Sequence, residues 1–268
     1  MLILHKITNC IFVSIYPNTL FVGKVLRILP QVDSTQTFLM NLYANSSPIE
    51  GSVILSYNQE NGYGQRNSSW ESMEGQNIAL SCLFLPAFLA AQKHFYLSMA
   101  VALAVKTTVR NLTGKSTSIK WPNDIMVNHS KIAGILIETQ LRQNNIQRAY
   151  SGIGLNVNQT SFGSLQWKAT SLELCTNHHF DLDNVSQILM EWLEKYYLLL
   201  KAGKYDLILN EYNNALYKRN QRISLQHING DISESILKGV SPDGKVQILH
   251  NNVEEEYIHG MVRILYDR

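Results

Sequence analysis

Cysteine is scarce in this 268-residue chain, and its three copies, Cys10, Cys82 and Cys175, form no CxxC pair. Their wide separation predicts neither a disulfide framework nor a zinc site, and it fits a reducing compartment. Long apolar runs are also lacking. A membrane span needs about 20 apolar residues, so the sequence predicts no such span. The short apolar run at 10–16 is followed by no small-residue cleavage site, so we expect a first strand there and no signal peptide. The sequence therefore favours a cytoplasmic protein with no membrane partner.

Charge of either sign is sparse as well. Lys and Arg number 23 against 21 Asp and Glu, which gives a net charge of +2. This balance gives no electrostatic preference for nucleic acid or for an anionic membrane surface. Hydrophobic residues make up 45% of the chain, enough for one sizeable core and a small appended domain, and too many for a disordered chain.

Apolar spacing predicts helices and strands in mixture up to a boundary near 217–221. Asp33 or Ser34 can cap a short helix, and a buried helix over 97–112 is closed by Gly114. A third helical run occupies 185–196 and ends at Gly203. Strand patterns lie at 51–57, 78–85, 118–121, 124–127, 132–140 and 149–156.

The sequence pattern changes after the boundary, to short strands separated by turns. Turn signals at 229–231, 242–244 and 251–252 separate short apolar runs. Their close spacing predicts a small β-barrel. We therefore expect a main domain over 1–220, in which 1–28 is an N-terminal strand or extension, and a second domain over 221–268.

Four polar or glycine-containing segments interrupt otherwise apolar strands: 59–70, 120–124, 131–138 and 152–158. Burying such groups is costly unless they bind something. Glycines such as Gly152 and Gly154 let a ligand approach the backbone. Taken singly, each segment is also compatible with a purely structural role, as lysines at strand ends, a glycine bulge, or a surface loop.

Three of these segments resemble motifs of the biotin–protein ligases in order and spacing. They are the Lys-Trp-Pro-Asn-Asp run at 120–124, the Lys-x-Ala-Gly-Ile-Leu-x-Glu strand at 131–138 and the Gly-Ile-Gly-Leu-Asn-Val-Asn segment at 152–158. Asp-Ser-Thr at 33–35 and Ala-Thr-Ser-Leu at 169–172 match that family too. The resemblance covers the chain from about Leu29 to its C-terminus. It implies an α+β fold, with a class II synthetase-like mixed sheet, packed helices and a C-terminal SH3-like barrel.

The resemblance also implies a reaction. Biotin would be activated with ATP to biotinyl-5′-AMP and then transferred to a lysine of a biotin carboxyl carrier protein or domain. ATP, Mg²⁺ and biotin would be substrates, and no tightly bound prosthetic group is expected. The nucleotide phosphates would carry Mg²⁺, with Asp124 as its candidate protein contact. We expect no nucleic-acid partner and a monomer or homodimer.

The first step of such a reaction brings two anions together. Unit charges about 4 Å apart repel by roughly 4 kcal/mol at an effective dielectric of 20, so fixed cations must offset that repulsion. By resemblance, Lys131 would hold the biotin carboxylate, Lys120 would lie on the opposite side, and Asp124 would help to deprotonate the acceptor lysine. The residues implied to bind biotin are Ser34, Thr35, Gln36, Gln59, Tyr63, Gly64, Gln65, Lys131, Gly134, Gly152 and Gly154. Those implied to bind ATP are Arg66, Trp70, Asn123, Asp124 and Asn156.

The chain departs from the family in the 62–67 run. Many members carry Gly-Arg-Gly-Arg-Arg-Gly there, whereas Tyr63 and Asn67 replace an arginine and a glycine, and upstream Gln36 replaces a usual asparagine. We expect the 59–70 stretch to be mobile in the free enzyme, and to cover a bound adenylate with Tyr63 and Arg66.

Two other functions fit part of the pattern. A lipoate–protein ligase or octanoyltransferase shares the broad fold but lacks the 120–124 motif. A biotin-sensing repressor needs a DNA-binding domain, and residues 1–28 show no helix-turn-helix pattern. The biotin ligase is therefore the main hypothesis.

Overall fold

The structure, a computed structural model, describes residues 15–65 and 68–265. Seven strands form a mixed sheet in the order β1-β2-β3-β7-β6-β5-β4. Only β1 and β2 run parallel, and the other neighbours in this sheet are antiparallel. The strands are β1 (Leu26–Leu29), β2 (Val53–Ser56), β3 (Asn77–Phe84), β4 (Thr117–Lys120), β5 (Asp124–Val127), β6 (Ser130–Arg142) and β7 (Asn145–Asn156).

Helices cover both faces of this sheet. They are α1 (Thr35–Leu42), α2 (Phe95–Thr113), α3 (Leu172–Thr176), α4 (Leu182–Lys201) and α5 (Tyr205–Asn214). The long helix α2 is buried along most of its length and ends at Gly114, whose φ of 64° closes it in the left-handed conformation. On the other face, α1 begins at Ser34, whose hydroxyl accepts from the Thr37 amide. Leu39 and Tyr43 pack α1 and its end against the sheet.

Side-chain alternation along the strands gives these two faces different roles. Ile78, Leu80 and Cys82 of β3 join the main hydrophobic cluster with α2 and α4. The intervening residues Ala79 and Ser81 point to the opposite face. That face carries α1 at one end and leaves the centre of the sheet open.

A second, five-stranded antiparallel sheet follows in the order β11-β10-β9-β8-β12. Its strands are β8 (Arg222–His227), β9 (Ile232–Val240), β10 (Val246–His250), β11 (Val253–Tyr257) and β12 (Val262–Ile264). In the described part of the chain β11 and β12 stay at opposite edges, so the sheet is open and the predicted barrel closure is not confirmed. The three predicted turns do lie between these strands.

The predicted helices and strands before the boundary are present with small shifts of their ends. The expected first strand at 10–16 falls mostly outside the described residues, and Ile15 and Tyr16 are not in a strand. The sequence missed β1, α3 and α5. In α5 only Ile208 and Tyr212 are buried, which leaves little apolar periodicity to detect. No helix in 15–65 or 68–265 is long and apolar enough to cross a membrane.

Candidate active site

A cleft of about 850 Å³ opens on the uncovered face of the seven-stranded sheet. Its floor consists of small residues that the strand register places side by side. Gly154 stands between Ala79 and Gly134, and Gly152 stands next to Ser81. Because no large side chain rises from these positions, a flat ligand can lie directly on the backbone.

The indole ring of Trp70 lies on part of this floor. A Cβ atom added at Gly154 would overlap the ring, and one added at Gly134 would be 3.0 Å from its Cζ3 atom. The ammonium of Lys131 is 5.3 Å from the ring centroid. Both glycines are therefore needed for the close approach of an aromatic ring, either that of Trp70 or one brought by a ligand.

Hydrogen-bonding groups converge at the α1 end of the cleft. The Gln59 Oε1 atom accepts from the Thr35 amide at 2.9 Å and from its hydroxyl at 3.1 Å. The same hydroxyl lies 2.9 Å from the Ser81 hydroxyl. Ser34, Thr35 and Ser81 are almost fully buried, so this end is polar and largely shielded from water. Such an environment selects ligands that carry both donors and acceptors.

The described residues of the 59–70 stretch make several hydrogen bonds. The Gly64 amide donates to the Ser68 carbonyl at 2.7 Å, and the Trp70 amide donates to the Gly62 carbonyl at 2.8 Å. The Tyr63 hydroxyl donates to Glu138 Oε2 at 3.2 Å. Burial of the Tyr63 ring raises the pKa of its hydroxyl, so it stays a protonated donor at neutral pH.

Charged groups gather at the opposite end, where β4, β5 and β6 meet. Lys120 ends β4 directly opposite Asp124, which begins β5. On β6, the Lys131 Nζ atom lies 2.5 Å from Asp124 Oδ1. Lys120 is only 4% exposed, whereas Lys131 and Asp124 are partly open to solvent.

Burial lowers the pKa of Lys120 to about 7, because an ammonium loses hydration in this environment. Asp124 opposes the shift, while Arg263, Lys131 and Lys168 add to it. At neutral pH the Lys120 ammonium is therefore close to its titration point. An anionic ligand placed beside it would favour the charged form.

Two predicted nucleotide contacts also brace the backbone around the cleft. The Asn123 amide donates to the Ile135 carbonyl at 2.7 Å. The Asn156 amide donates to the Thr170 carbonyl at 2.9 Å, which ties the end of β7 to the segment before α3. The first bond braces the start of β5, which carries Asp124, and the second braces the end of β7.

The cleft brings together every predicted site residue that the structure describes, and Arg66 lies outside the described residues. Those lining it are Ser34, Thr35, Gln36, Gln59, Tyr63, Gly64, Gln65, Trp70, Lys120, Asn123, Asp124, Lys131, Gly134, Gly152, Gly154 and Asn156. Their individual roles remain predictions. Within the described ranges, no group of three or more His, Cys, Asp or Glu side chains is placed to hold a metal ion.

Sequence reasoning missed several residues that line the same cleft. Arg263 lies on β12 and His259 in the connection between β11 and β12, and the packing of His259 beside Trp121 brings this part of the chain to the cleft. Lys168 directly precedes the Ala-Thr-Ser-Leu motif, so its position in the sequence was a usable signal. Its carbonyl accepts from the Lys131 amide at 2.7 Å.

A family model matches the part of the chain that builds this cleft. Residues 28–156 match the model of the Biotin/lipoate A/B protein ligase family. The matched segment begins within β1 and ends at the last residue of β7, so it includes the glycine floor, Lys120, Asp124 and Lys131.

Curated relatives extend the similarity beyond that segment. The chain is 34% identical over 178 residues to the bifunctional ligase/repressor BirA of Bacillus spizizenii, an alignment that covers 65% of this chain and 54% of that protein. It is 31% identical over 137 residues to the biotin–[acetyl-CoA-carboxylase] ligase of Mycobacterium tuberculosis, covering 50% of each. The chain thus aligns with about half the length of these relatives.

Solved structures resemble the fold over nearly the whole chain. The biotin protein ligase of Aquifex aeolicus, in complex with biotin and ATP, superposes with a TM-score of 0.78 at 24% identity, covering 91% of this chain and 100% of that one. The ligase of Leishmania major gives a TM-score of 0.60 at 17% identity, covering 88% of this chain. At such identities the likeness describes the fold only.

Proposed function

We propose that this protein activates biotin with ATP and transfers it to a lysine of a biotin carboxyl carrier protein or domain. The observation that carries the proposal is one cleft with two unlike ends. A glycine floor and buried hydrogen-bonding groups stand at one end, and Lys120, Lys131 and Asp124 stand at the other. The similarity to ligases such as the biotin–[acetyl-CoA-carboxylase] ligase of Mycobacterium tuberculosis supports it.

In the first step, a biotin carboxylate oxygen attacks the α-phosphorus of ATP. An oxygen–phosphorus bond forms, and the bond to the departing pyrophosphate breaks. Lys131 and Lys120 are the cations that offset the meeting of the two anions. Because the Lys120 pKa is already near 7, the incoming negative charge raises it again and the charged ammonium becomes the stable form.

In the second step, an acceptor lysine attacks the acyl carbon of biotinyl-5′-AMP, and AMP leaves. That lysine must first lose a proton, which costs about 4–5 kcal/mol at pH 7. Asp124 is the carboxylate proposed to help with this proton, and its ion pair with Lys131 orients it. Mg²⁺ would enter with the ATP phosphates. A single carboxylate beside them is the kind of oxygen donor that this ion accepts.

The hydrogen-bonding end would hold the cyclic urea of biotin. A urea group presents two N–H donors and one carbonyl acceptor, which the hydroxyls of Thr35 and Ser81 and the amide of Gln59 can match. Trp70 would cover the fused rings or the nucleotide from above.

Several broader features belong to the same proposal. We assign residues 221–268 to an SH3-like domain appended to a catalytic domain over 1–220. We place the protein in the cytoplasm, consistent with Cys82 and Cys175 as free thiols. We take it to act as a monomer or homodimer.

A single assay tests the function. Purified protein is incubated with biotin, ATP, Mg²⁺ and a biotin carboxyl carrier domain, and the carrier is examined by intact-mass spectrometry. We expect a gain of one biotinoyl group at one lysine, with pyrophosphate and AMP released in equal amounts. Lipoate and octanoate serve as the competing substrates, and equal transfer of octanoate would assign the protein to the lipoate/octanoate branch of the family.

A further inference from the structure

Glu138 lies just beyond the residues that line the cleft, at a junction of three elements. It stands on β6 opposite Tyr150 of β7. Its Oε2 atom accepts from the Tyr63 hydroxyl at 3.2 Å and from the Gln36 Nε2 group at 3.1 Å. One carboxylate oxygen therefore links the 59–65 stretch to helix α1.

The second contact fixes the orientation of the Gln36 amide. Its Nε2 group donates both to Glu138 and to the Tyr150 carbonyl, at 2.9 Å. Because the Nε2 group faces Glu138 and Tyr150, the Gln36 Oε1 atom points toward Gly152. It lies 2.9 Å from the position that a Cβ atom added to Gly152 would occupy. That space belongs to the floor of the cleft.

In that position the Gln36 Oε1 atom is buried and accepts no hydrogen bond from residues 15–65 or 68–265, and Gln36 as a whole is 4% exposed. Leaving a buried carbonyl unpaired is unfavourable. Rotating the amide would pair the oxygen with no better partner, because it would then face two acceptors, Glu138 and the Tyr150 carbonyl. The arrangement makes sense if a ligand brings an N–H group to Gly152.

We infer that Glu138 is a positioning residue with two effects: it holds Tyr63, and with it the 59–65 stretch, over the cleft, and it presents the Gln36 carbonyl as an acceptor for a ligand N–H. Resting on the proposed function, the inference assigns that N–H to one nitrogen of the cyclic urea. A ligand without a donor there leaves the oxygen buried and unpaired, so Gln36 selects against it.

The tethering effect is tested without ligand. Hydrogen–deuterium exchange of amides 59–65 is compared in wild type, Tyr63→Phe, Glu138→Ala and the double variant. We expect each single change to speed exchange severalfold and the double change to add nothing further, because both remove one bond. Glu138→Gln keeps one acceptor oxygen and should stay near wild type. Glu234→Ala, which removes a surface carboxylate of the second sheet, is the matched control.

The acceptor effect is tested with biotin and with its two derivatives methylated at one ureido nitrogen each. By calorimetry, we expect the wild-type protein to bind one of the two derivatives at least about tenfold more weakly than biotin. Gln36→Leu should weaken biotin binding by about tenfold and remove the difference between biotin and that derivative. Glu138→Ala should move both quantities in the same direction.

Different results would overturn the proposed function and the roles of Gln36 and Glu138. A wild-type protein that binds no biotin would overturn the proposed function, together with the assignment of the N–H donor. If the protein binds biotin, and Gln36→Leu retains full discrimination against both methylated derivatives, the acceptor role is wrong. Additive exchange effects, or none in either single variant, would overturn the tethering role of Glu138.

Discussion

Asp124 stands between two lysines on neighbouring strands, and the three differ in their contact with water. Lys131 pairs with Asp124 at the cleft surface, whereas Lys120 is buried behind them. Burial lowers the pKa of the Lys120 ammonium to about 7. The two lysines therefore differ in their exposure to solvent.

Lys131→Ala should strongly slow the first half-reaction, the formation of biotinyl-5′-AMP. The variant loses the exposed cation that faces the proposed carboxylate, and removal of one such group costs about 10²–10³-fold in rate. Pyrophosphate release from biotin and ATP, without acceptor, measures this step. Lys195→Ala, which removes a lysine stacked on Trp192 away from the cleft, should have the wild-type rate. Undiminished release in a folded Lys131→Ala protein would remove Lys131 from this role.

The pH dependence of the same half-reaction should report Lys120. Its pKa of about 7 in the ligand-free protein means that the ammonium is present below this pH and lost above it. We expect kcat/KM for biotin to fall about tenfold per pH unit above that point, since this ratio reports the free enzyme. Lys120→Arg keeps its charge throughout and should lose this decline. A decline that persists unchanged in Lys120→Arg must arise from another group.

At the scale of elements, the central strands β3, β6 and β7 bring their smallest residues into register. Ala79, Gly154 and Gly134 adjoin across three strands, and Trp70 fills the space above two of them. Each glycine alone is compatible with a bulge or a turn. Their alignment across strands is what produces a ligand-sized floor.

Gly154→Ala should test that floor. The added methyl group would overlap the Trp70 ring, and such overpacking costs about 1–3 kcal/mol. We expect a lower melting temperature and weaker biotin binding. In a Trp70→Ala background the ring is gone, so the same change should cost little stability. If Gly154→Ala lowers stability equally in the two backgrounds, overlap with the Trp70 ring is not the cause of the loss.

The 59–70 stretch should respond to the complete adenylate. Biotin with ATP should slow proteolysis within 61–69, while ATP alone should do so much less, because closure needs both halves of the ligand. Tyr63→Ala should lose adenylate to solvent, seen as ATP turnover in excess of acceptor biotinylation. Ligand-independent cleavage together with tight coupling in Tyr63→Ala would contradict a covering role.

At the scale of the whole molecule, the two sheets share one hydrophobic core. Ile223, Leu225 and Val246 of the second sheet belong to the same cluster as α2. Trp121, next to the strands that carry the charged residues, donates its indole N–H to the Gly244 carbonyl at 3.0 Å. Through this junction the second sheet also reaches the cleft with His259 and Arg263.

The shared core predicts that both sheets unfold in one transition. Trp121→Phe removes a buried hydrogen bond across the junction and should lower the free energy of unfolding by about 1–2 kcal/mol. Calorimetry and circular dichroism should then show a single, lower melting temperature. Trp192→Phe, on the partly exposed side of α4, should change it much less. Two resolved transitions would mean that the sheets are independent.

The sequence alone indicated the order of most helices and strands and several of the segments that form the cleft. Capping at Ser34, the Gly114 helix end and the turn glycines act over a few residues, so their effects are readable locally. The polar segments identified the cleft because polar groups and glycines are unfavourable inside buried strands unless a ligand pairs with them or approaches the backbone there.

Tertiary structure decided the rest, because contacts between distant segments depend on register and packing that no local pattern encodes. The link from Tyr63 through Glu138 to Gln36 exists only because β6 and β7 are paired so that Glu138 faces α1. The depressed pKa of Lys120 needs the burial that surrounding elements create, and the positive charge of Arg263 of the second sheet lowers it further. The open edges of that second sheet likewise follow from its strand pairing, because turn spacing sets where strands end and does not set whether the edge strands β11 and β12 meet.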